Sequence, residues 1–586
     1  MFALLVALAW VLAAAELLVP HWSETAVTLH DTDDAMRLVE MREFIAGQGW
    51  YDMHEARVLP PAGMDSHWSR LIDAGLADVF LLARTAFDAP MAERLTRALW
   101  PLLWLLPCIA GIAAIAWRVA GREAAVVTLL FAVLGLPAFT QFPPGRIDHH
   151  NVQIALAVLV VAATVWSDRS AWPAWAAGIL TGLALAIGLE GVPYAALCAA
   201  AFGLRYAAEP GAAAAFARYG LAAAASAVAA LMVDVAPAHW TTSVCDMIAF
   251  NSAAAVVAGG LVAALAGRFR ALAGAPARWA LVALAGLAAV AVYAICEPRC
   301  LAGPFAMVDP AIRPIWFDRV QEMQPLLGTL VANPLTGLWF AVYPVVALAG
   351  LVVLAAGPAG RAARSDPAFL TLAAALLLAI AVMLVTVKGG PYAQWLAIPA
   401  VAALAVRLWE RLGLDRLVPR FLLALALAPA VVTGAALAVA AAAGRSDAED
   451  RDAARQRACF ATANYAPLAA LPPGLVVAPV DLGPFLLALT PHAVVAAPYH
   501  RAPEGILAAQ EAFALPPEEA RAVLRRVHAD YLVTCGMRPP AGLDARARDV
   551  SLWGRLRAGE VPGWLAPVAA TAGGPLVVYR VAQEGH

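Results

Sequence analysis

The sequence predicts a polytopic α-helical membrane protein that ends in a soluble α/β domain. Of its 586 residues, 62% are hydrophobic and 14% are charged, whereas a soluble globular chain is about half apolar and about a quarter charged. The mean hydropathy is +0.73. Thirteen apolar runs approach the length of about 17–25 residues that a spanning helix requires. After residue 443 these runs stop, so we expect a membrane domain over 1–443 and a second domain over 444–586.

The apolar runs predict the spans and their orientation. They lie near residues 2–19, 95–117, 124–141, 151–167, 172–189, 192–206, 216–236, 252–267, 277–295, 335–356, 367–387, 391–407 and 420–443. The first run has no basic segment before it and no small-residue cleavage site after it, so we expect a retained span rather than a signal peptide.

Arginine concentrates in alternate short loops, as it does on the cytoplasmic side of membrane proteins. These loops contain Arg118 and Arg122, Arg169, Arg205 and Arg218, Arg268 to Arg278, Arg361 and Arg364, and Arg407 to Arg420. The opposite face then receives the outer loops 20–94, 142–150, 237–251 and 296–334, the short turns at Glu190 and Lys388, and the C-terminal domain. We therefore expect a multi-pass protein of the inner (cytoplasmic) membrane, with its polar clusters and C-terminal domain facing the periplasm or exterior.

The C-terminal domain has an alternating pattern. Short apolar strands near 474–479, 492–497 and 530–534 alternate with helical stretches near 505–514 and 517–528, which is typical of an α/β fold. A domain of about 140 residues can bury its own core.

Two pairs of cysteines could form disulfides in an oxidising compartment. Cys459 and Cys535 both lie in the C-terminal domain, and Cys296 and Cys300 lie close together in the loop 296–334. Either pair could also remain as free thiols.

A polar cluster ends one of the apolar runs. Asp148, His149 and His150 are consecutive in a chain that has only 11 histidines. Asp148 and His150, two residues apart, can turn toward one divalent metal ion, and His149 would support them. The alternative is a solvated loop that happens to be polar.

Further acidic and basic residues fall on the same predicted face. Asp31 or Asp33 and Glu322 could join Asp148 around a divalent cation, which neutralises phosphate charge and stabilises a departing phosphate. A carboxylate outside the metal site could position or deprotonate an acceptor. The candidate phosphate-binding side chains are Arg37, Arg70, Arg313, Arg319 and Lys388, and the alternative for each is a solvated loop charge.

Four motifs occur in order along the outer loops. They are Asp31-x5-Arg37-Leu-Val-Glu40, the stretch Pro60 to Asp73 that contains His67, Asp148-His149-His150, and Val320-Gln-Glu322-Met-Gln-Pro325. Together with thirteen spans and a C-terminal domain, they resemble the catalytic subunit of oligosaccharyltransferases. The similarity is to the single-subunit archaeal and bacterial enzymes within the C-type glycosyltransferases.

The resemblance implies roles for individual residues. Mn²⁺ or Mg²⁺ would be held by Asp31 or Asp33, Asp148, His150 and Glu322, and the catalytic residues would be Asp31, Asp148 and Glu322. The donor phosphates would meet His67, with Arg37, Arg70 and Lys388 as further partners. Glu322 and Asp481 would lie on the acceptor side.

The chain departs from that family at two places. Members that glycosylate asparagine have a WWDYG motif, whereas the corresponding segment here is Pro479-Val480-Asp481-Leu-Gly483. Asp481 and Gly483 fit the motif, but both tryptophans are missing. Lys388 stands where the family has an arginine. The resemblance therefore supports the transfer chemistry more strongly than it supports a peptide acceptor.

The predicted function is an inverting transfer of a sugar or oligosaccharide from a polyprenyl-phosphate or polyprenyl-pyrophosphate donor to a protein, lipid or polysaccharide acceptor. A C-type transferase that moves a single sugar onto lipid or polysaccharide is an alternative. A transporter or flippase of lipid-linked glycans is a third, although transporters place ionisable residues within spans and often show internal repeats. An inactive membrane scaffold would not need acidic groups in three loops. The net charge of −2 gives no reason to expect nucleic acid as a partner.

Overall fold

The computed structural model describes residues 1–26, 28–267, 274–356, 360–442, 454–536 and 539–582. The helices of the first 442 residues are Phe2–His21, Thr32–Ile45, Arg70–Arg84, Ala89–Val133, His150–Trp166, Trp172–Ile187, Val192–Ala208, Ala213–Asp234, Phe250–Leu265, Ala275–Cys296, Leu326–Ala332, Pro334–Ala355, Gly360–Ser365, Pro367–Val385, Gly390–Arg411, Leu417–Ala426 and Pro429–Ala441. Each of the thirteen apolar runs overlaps a helix of this set, although the run 124–141 continues past Val133 and the run 420–443 covers two helices.

The long helices have the dimensions of membrane spans. Among the described residues, seven helices are long and apolar enough to cross a membrane, or eight if the bent pair Leu417–Ala426 and Pro429–Ala441 forms one span. Helix Ala89–Val133 breaks at Gly121, where φ is 85°, and therefore carries two of the predicted runs. The protein is thus a multi-pass α-helical membrane protein, as predicted, while the count of thirteen spans stays a prediction.

Loops that were predicted to share the arginine-rich face do meet. The Arg118 guanidinium lies 2.5 Å from Asp168 and 3.0 Å from Asp366, so three loops of that face are joined by ion pairs. Two predicted features lie outside the described residues, namely the basic segment 268–273 and the charged linker 443–453 with its domain boundary.

The C-terminal part contains a mixed five-stranded sheet. Its strand order is 493–494, 475–477, 531–535, 576–581 and 565–567. The first three strands in this order are parallel to one another. The strand 576–581 pairs antiparallel with both of its neighbours, 531–535 and 565–567. The helices around this sheet are Ala466–Ala469, Gly483–Leu489, Pro503–Ala514, Pro517–Arg526, Ala545–Val550 and Leu552–Arg557. The predicted α/β class is confirmed.

This sheet packs against the first outer loop. Strands His54–Glu55 and Met64–Asp65 form a small hairpin in that loop. The Leu59 amide beside the hairpin donates a 2.7 Å hydrogen bond to the Val494 carbonyl. One continuous buried cluster contains Val58 and Trp68 from the loop together with residues of the C-terminal part. The apolar contact therefore fixes the C-terminal part over the end of the helices that carries the loops 20–94 and 142–150.

The structure contains two disulfides. Cys459 pairs with Cys535, which confirms one prediction. Cys300 pairs with Cys245, 55 residues earlier, and Cys296 is a free thiol, so the predicted pairing of Cys296 with Cys300 is wrong. The turn after Cys296 buries Cys300 against the segment that contains Cys245, and spacing along the chain could not reveal this contact.

Candidate active site

A cavity of about 1950 Å³ lies between the outer loops and the C-terminal part. The site residues predicted from the sequence that line it are Asp31, Asp33, His67, Arg313, Arg319, Glu322, Lys388 and Asp481. Asp148 and His150 are only 1% and 5% exposed and lie directly behind the wall, in contact with the lining residues His149 and Glu190. Most of the predicted site residues are thus at or directly behind this cavity.

Asp148 is held in place by the first outer loop. The backbone amides of Ile147 and Asp148 donate hydrogen bonds of 2.7 and 3.1 Å to Asp34 Oδ1. His149 Nδ1 contacts Asp148 Oδ1, and His150 Nε2 lies 3.1 Å from Asp148 Oδ2. Burial alone would raise the pKa of Asp148, but the two histidines and Arg146 outweigh it and hold the pKa well below its ordinary value. The carboxylate is therefore ionised and faces two imidazoles.

These side chains fit a divalent cation. One ligand atom from each of Asp148, His149 and His150 lies within 4.8 Å of the others. Asp148 Oδ2 is buried and accepts no hydrogen bond of normal geometry, although His150 faces it. Carboxylate oxygens and imidazole nitrogens suit Mn²⁺ and related metals, and an ionised oxygen without a donor is stabilised by such an ion.

Asp31 and Asp33 lie on the cavity wall with different partners. Asp31 Oδ1 caps helix Thr32–Ile45 by accepting 3.0 Å hydrogen bonds from the amides of Asp33 and Asp34, and its other oxygen accepts from Arg146. Burial raises the pKa of Asp33 well above its ordinary value, and the neighbouring Asp148 and Asp31 act in the same direction. A cation among these carboxylates would relieve that repulsion.

Glu322 and Lys388 complete the polar group from the other side. Glu322 Oε2 lies 3.9 Å from His150 Nε2, and its Oε1 lies 2.8 Å from Lys388 Nζ. The Glu322 carbonyl accepts a 2.7 Å hydrogen bond from Thr386 Oγ1, which ties the loop to the turn before helix Gly390–Arg411. The structure therefore brings the second and third outer loops to one point.

His67 lies beside a cluster that the sequence did not predict. Its ring centroid is 4.8 Å from that of His500. Both rings are near Asp246, which accepts a 2.7 Å hydrogen bond from His500 and two 2.8 Å bonds from Arg501. Burial lowers the pKa of His67 well below its ordinary value, and His500 lowers it further. The His67 imidazole is therefore neutral and can donate one hydrogen bond and accept another.

Arg37 and Arg70 lie among buried carboxylates. Both were predicted to meet donor phosphates, but neither lines the cavity, and they are 0% and 1% exposed. Arg37 lies 2.7 Å from Asp73 Oδ1 and 2.9 Å from Glu40, and Arg70 lies 3.2 Å from Asp73 Oδ2. Buried charges require partners of this kind, so these arginines hold the first outer loop together.

Sequence reasoning also missed residues that the structure places in or beside the site. Glu190, Asp246 and His500 line the cavity, and Arg146 bridges Asp31 and Asp34. Glu190 had one available signal, because it is the single acidic residue in a short outer turn between two apolar runs. Asp246 and His500 come together only through the fold.

The segment that corresponds to WWDYG also lines the cavity. Pro479, Val480 and Asp481 are on its wall, in a short 3₁₀ turn before helix Gly483–Leu489. This segment thus presents two small apolar residues and one carboxylate to the cavity.

Comparisons with known proteins identify the fold. No family model matches the chain, and no curated protein matches it by sequence. Among solved structures, the Archaeoglobus fulgidus oligosaccharyltransferase in the apo form superposes with a TM-score of 0.69 at 13% identity, covering 91% of this chain and 69% of that one.

Two ligand-bound structures from the same organism also match. The oligosaccharyltransferase AglB in complex with an inhibitory peptide and a dolichol-phosphate gives a TM-score of 0.67 at 14% identity, over 99% of this chain and 74% of that one. The oligosaccharyltransferase complex with Zn and sulfate gives 0.61 at 14% identity, over 99% and 73%. The resemblance that the motifs predict is therefore confirmed at the level of the fold: this chain has the fold of the Archaeoglobus fulgidus oligosaccharyltransferase.

Proposed function

We propose that the protein is a metal-dependent membrane glycosyltransferase. It transfers a sugar or oligosaccharide from a polyprenyl-phosphate or polyprenyl-pyrophosphate donor to an acceptor on the outer face of the membrane. The observation that carries this proposal is the convergence of Asp148, His150, Glu322 and Lys388 at one cavity. These four residues come from three separate outer segments in a chain with this fold.

The donor end of the cavity suits a lipid-linked phosphate. Lys388 and the neutral His67 offer hydrogen-bond donors to phosphate oxygens, and both line the cavity. The structural relative AglB has been captured with a dolichol-phosphate, and a related structure with Zn and sulfate. These ligands support a phosphate-bearing lipid as the donor here.

The residues that would hold the cation are Asp148 and His150, with a carboxylate from the turn Asp31 to Asp33 and with Glu322. A bound Mn²⁺ or Mg²⁺ neutralises charge on the departing lipid phosphate. Asp148 is the centre of this set because it is ionised, buried and without a well-aligned hydrogen bond at Oδ2.

The chain's own groups carry the remaining steps. Glu322 orients the acceptor, whose nucleophilic atom bonds to the anomeric carbon from the side opposite the phosphate. The bond between the anomeric carbon and the phosphate oxygen breaks, and the lipid phosphate leaves with the electron pair. The acceptor's proton passes to a cavity carboxylate, which acts as a general base. The sugar's configuration inverts.

The acceptor side favours a molecule other than an asparagine sequon. Pro479 and Val480 replace the two tryptophans of the WWDYG motif, while Asp481 remains on the cavity wall. This difference favours, as a second candidate function, a C-type transferase that moves one sugar onto a lipid or polysaccharide.

We also propose an inner-membrane location with the cavity facing the periplasm or exterior, and a division into domains 1–443 and 444–586. Both disulfides lie in the segments predicted to face outward, Cys245–Cys300 in the outer loops and Cys459–Cys535 in the C-terminal part. Disulfides persist in oxidising compartments, which supports this orientation.

The proposal is tested by incubating the purified full-length protein with synthetic polyprenyl-phosphate and polyprenyl-pyrophosphate sugars. Sequon peptides, lipid extract and polysaccharide serve as separate acceptors, each with Mn²⁺ or EDTA. Mass spectrometry should detect a glycosylated product and released lipid phosphate with Mn²⁺ only. Movement of donor across a vesicle bilayer without any cleavage of the sugar–phosphate bond would instead establish the transporter alternative and refute the proposal.

A further inference from the structure

Glu190 lies in a short turn at the edge of the proposed metal site. The turn Leu189–Gly191 joins helices Trp172–Ile187 and Val192–Ala208. The Glu190 side chain is 23% exposed and lines the cavity. It is therefore available to the cavity and yet close to the residues behind its wall.

The carboxylate of Glu190 contacts the ring nitrogen of His150 that faces away from Asp148. Glu190 Oε2 lies 3.1 Å from His150 Nδ1. The other nitrogen, His150 Nε2, lies 3.1 Å from Asp148 Oδ2 and 3.9 Å from Glu322 Oε2. A carboxylate at Nδ1 accepts the proton that this nitrogen carries, so the lone pair of a neutral ring lies on Nε2.

We propose that Glu190 is a positioning residue for the metal-binding histidine. It fixes the His150 ring and its tautomer so that Nε2, rather than Nδ1, is presented to a divalent cation beside Asp148. Carboxylates that hydrogen-bond the second nitrogen of a ligating histidine orient the ring and raise its basicity. This inference rests on the proposed function, because it needs a cation at Asp148 and His150.

The surroundings hold Glu190 in this orientation. Tyr392 Oη donates a 3.2 Å hydrogen bond to Glu190 Oε2, and Lys388 Nζ donates a 3.1 Å bond to Oε1. Tyr392 Oη also lies 3.3 Å from Gln153 Oε1, which belongs to the same helix as His150. The carboxylate is thus fixed by donors on both oxygens and cannot turn away from the ring without losing them.

Gly188 allows the turn to approach the His150 helix. A Cβ atom on Gly188 would lie only 2.0 Å from Gln153 Nε2, so a larger residue would push the turn and the helix apart. The close approach brings the short turn within reach of a ring on the first residue of helix His150–Trp166.

A counter-ion role toward Lys388 does not account for this geometry. Lys388 already lies 2.8 Å from Glu322 Oε1, and it uses only the Oε1 atom of Glu190. The Oε2 atom is directed at the histidine and the tyrosine. The two roles therefore belong to different oxygens and can be separated by experiment.

The test measures Mn²⁺ binding to the full-length protein in detergent by two methods. Calorimetry gives the affinity, and electron paramagnetic resonance reports the ¹⁴N coupling of an imidazole bound to the ion. Glu190→Ala should weaken Mn²⁺ binding by about 10–100-fold, the range for groups that hydrogen-bond the second nitrogen of a ligating histidine. Glu190→Gln, which has the same shape, should shift the affinity in the same direction and keep the fold. Both should reduce the ¹⁴N coupling.

Two controls separate positioning from charge. Asp65→Asn removes a carboxylate that also contacts an imidazole Nδ1, that of His54 at 2.8 Å, but neither residue lines the cavity, so Mn²⁺ affinity should not change. In a His150→Ala background, Glu190→Gln should add no further loss.

The possible outcomes are distinct. Unchanged affinity and ¹⁴N coupling in Glu190→Gln and Glu190→Ala would overturn the inference alone. So would an equal loss of affinity from Glu190→Gln with and without His150, since Glu190 would then act only through its charge. Absence of Mn²⁺ binding to the wild-type protein would overturn both this inference and the metal-dependent function. If Glu190→Ala fails to fold, as judged by gel filtration, the Glu190→Gln result decides.

Discussion

Replacing Arg146 by methionine removes the cation that joins the first two outer loops. The Arg146 side chain is 10% exposed and lies 2.9 Å from Asp34 Oδ2, which is fully buried. It also contacts Asp31, and it donates bonds of 3.1 and 2.6 Å to Gln141 Oε1. Methionine fills much of the same volume without the charge, so the variant isolates the electrostatic contribution.

The expected loss follows from the burial of the partners. Removing one member of a buried ion pair destabilises a protein by about 3–5 kcal/mol, because the other charge remains buried and uncompensated. Asp34 is buried in this way, and Arg146 is the main group that opposes the rise in its pKa caused by burial and by the charges of Asp31 and Asp148; protonation of Asp34 in the variant sets an upper limit to the loss. Asp31 is not buried in this way, since its side chain is 41% exposed and water screens it. We therefore expect Arg146→Met to lower the free energy of unfolding by about 3–5 kcal/mol, almost all of it through Asp34.

The assay is the SDS-induced unfolding of the purified protein, with thermal unfolding as a second measure. The matched control is Arg526→Met, which breaks a 2.6 Å ion pair with Glu511 whose side chains are 60% and 43% exposed and should change stability by less than about 1 kcal/mol. The double variant Arg146→Met with Asp34→Asn should recover part of the loss. If Arg146→Met behaves like Arg526→Met, the account of how the loops are held together is refuted.

Three further predictions concern the phosphates, the buried arginines and the disulfide. Lys388→Met should raise the KM for the lipid-linked donor about tenfold or more, because hydrogen bonds to charged groups contribute about 1.5–3 kcal/mol. Lys388→Arg should return the KM most of the way to the wild-type value. An unchanged KM in Lys388→Met would remove Lys388 from the donor site. Arg37→Met should lower the free energy of unfolding by about 3–5 kcal/mol, and the folded variant should keep the wild-type KM for the donor. A raised KM together with normal stability would instead identify Arg37 as a phosphate ligand. Cys245→Ser with Cys300→Ser should lower the free energy of unfolding by about 2–4 kcal/mol and Cys296→Ser should not; equal effects on thermal unfolding would contradict the observed pairing.

The helical plan could be predicted from the sequence because a membrane span has a length and composition of its own. Each apolar run from 2–19 to 420–443 overlaps a helix. The alternating strands and helices of the C-terminal part could be predicted equally well, because the periodicity of a strand is a local property of the sequence. The break at Gly121 and the bend after Leu417–Ala426 depend on packing between helices, so no local sequence pattern predicts them.

The contact between Asp148 and His150 could also be predicted, since the two residues are close in sequence and therefore close in space. The roles of Arg37 and Arg70 could not, because a motif shows the residue type but not whether the side chain points into a cavity or into a buried ion pair. Glu190 approaches His150 only through the packing of its turn against the helix, at a separation of 40 residues. Contacts of that kind are set by tertiary structure.

The central claim is that Asp148 anchors a metal-dependent transfer centre. It is tested most directly by measuring the rate at which lipid phosphate or pyrophosphate is released from a polyprenyl-linked sugar donor, by the wild-type protein with Mn²⁺ or EDTA and by Asp148→Ala with Mn²⁺. Asp148→Asn serves as a variant of the same shape. The account predicts release by the wild-type protein with Mn²⁺, and none with EDTA or in either variant when both unfold like the wild type. Release by Asp148→Ala at close to the wild-type rate, or release undiminished by EDTA, would contradict it.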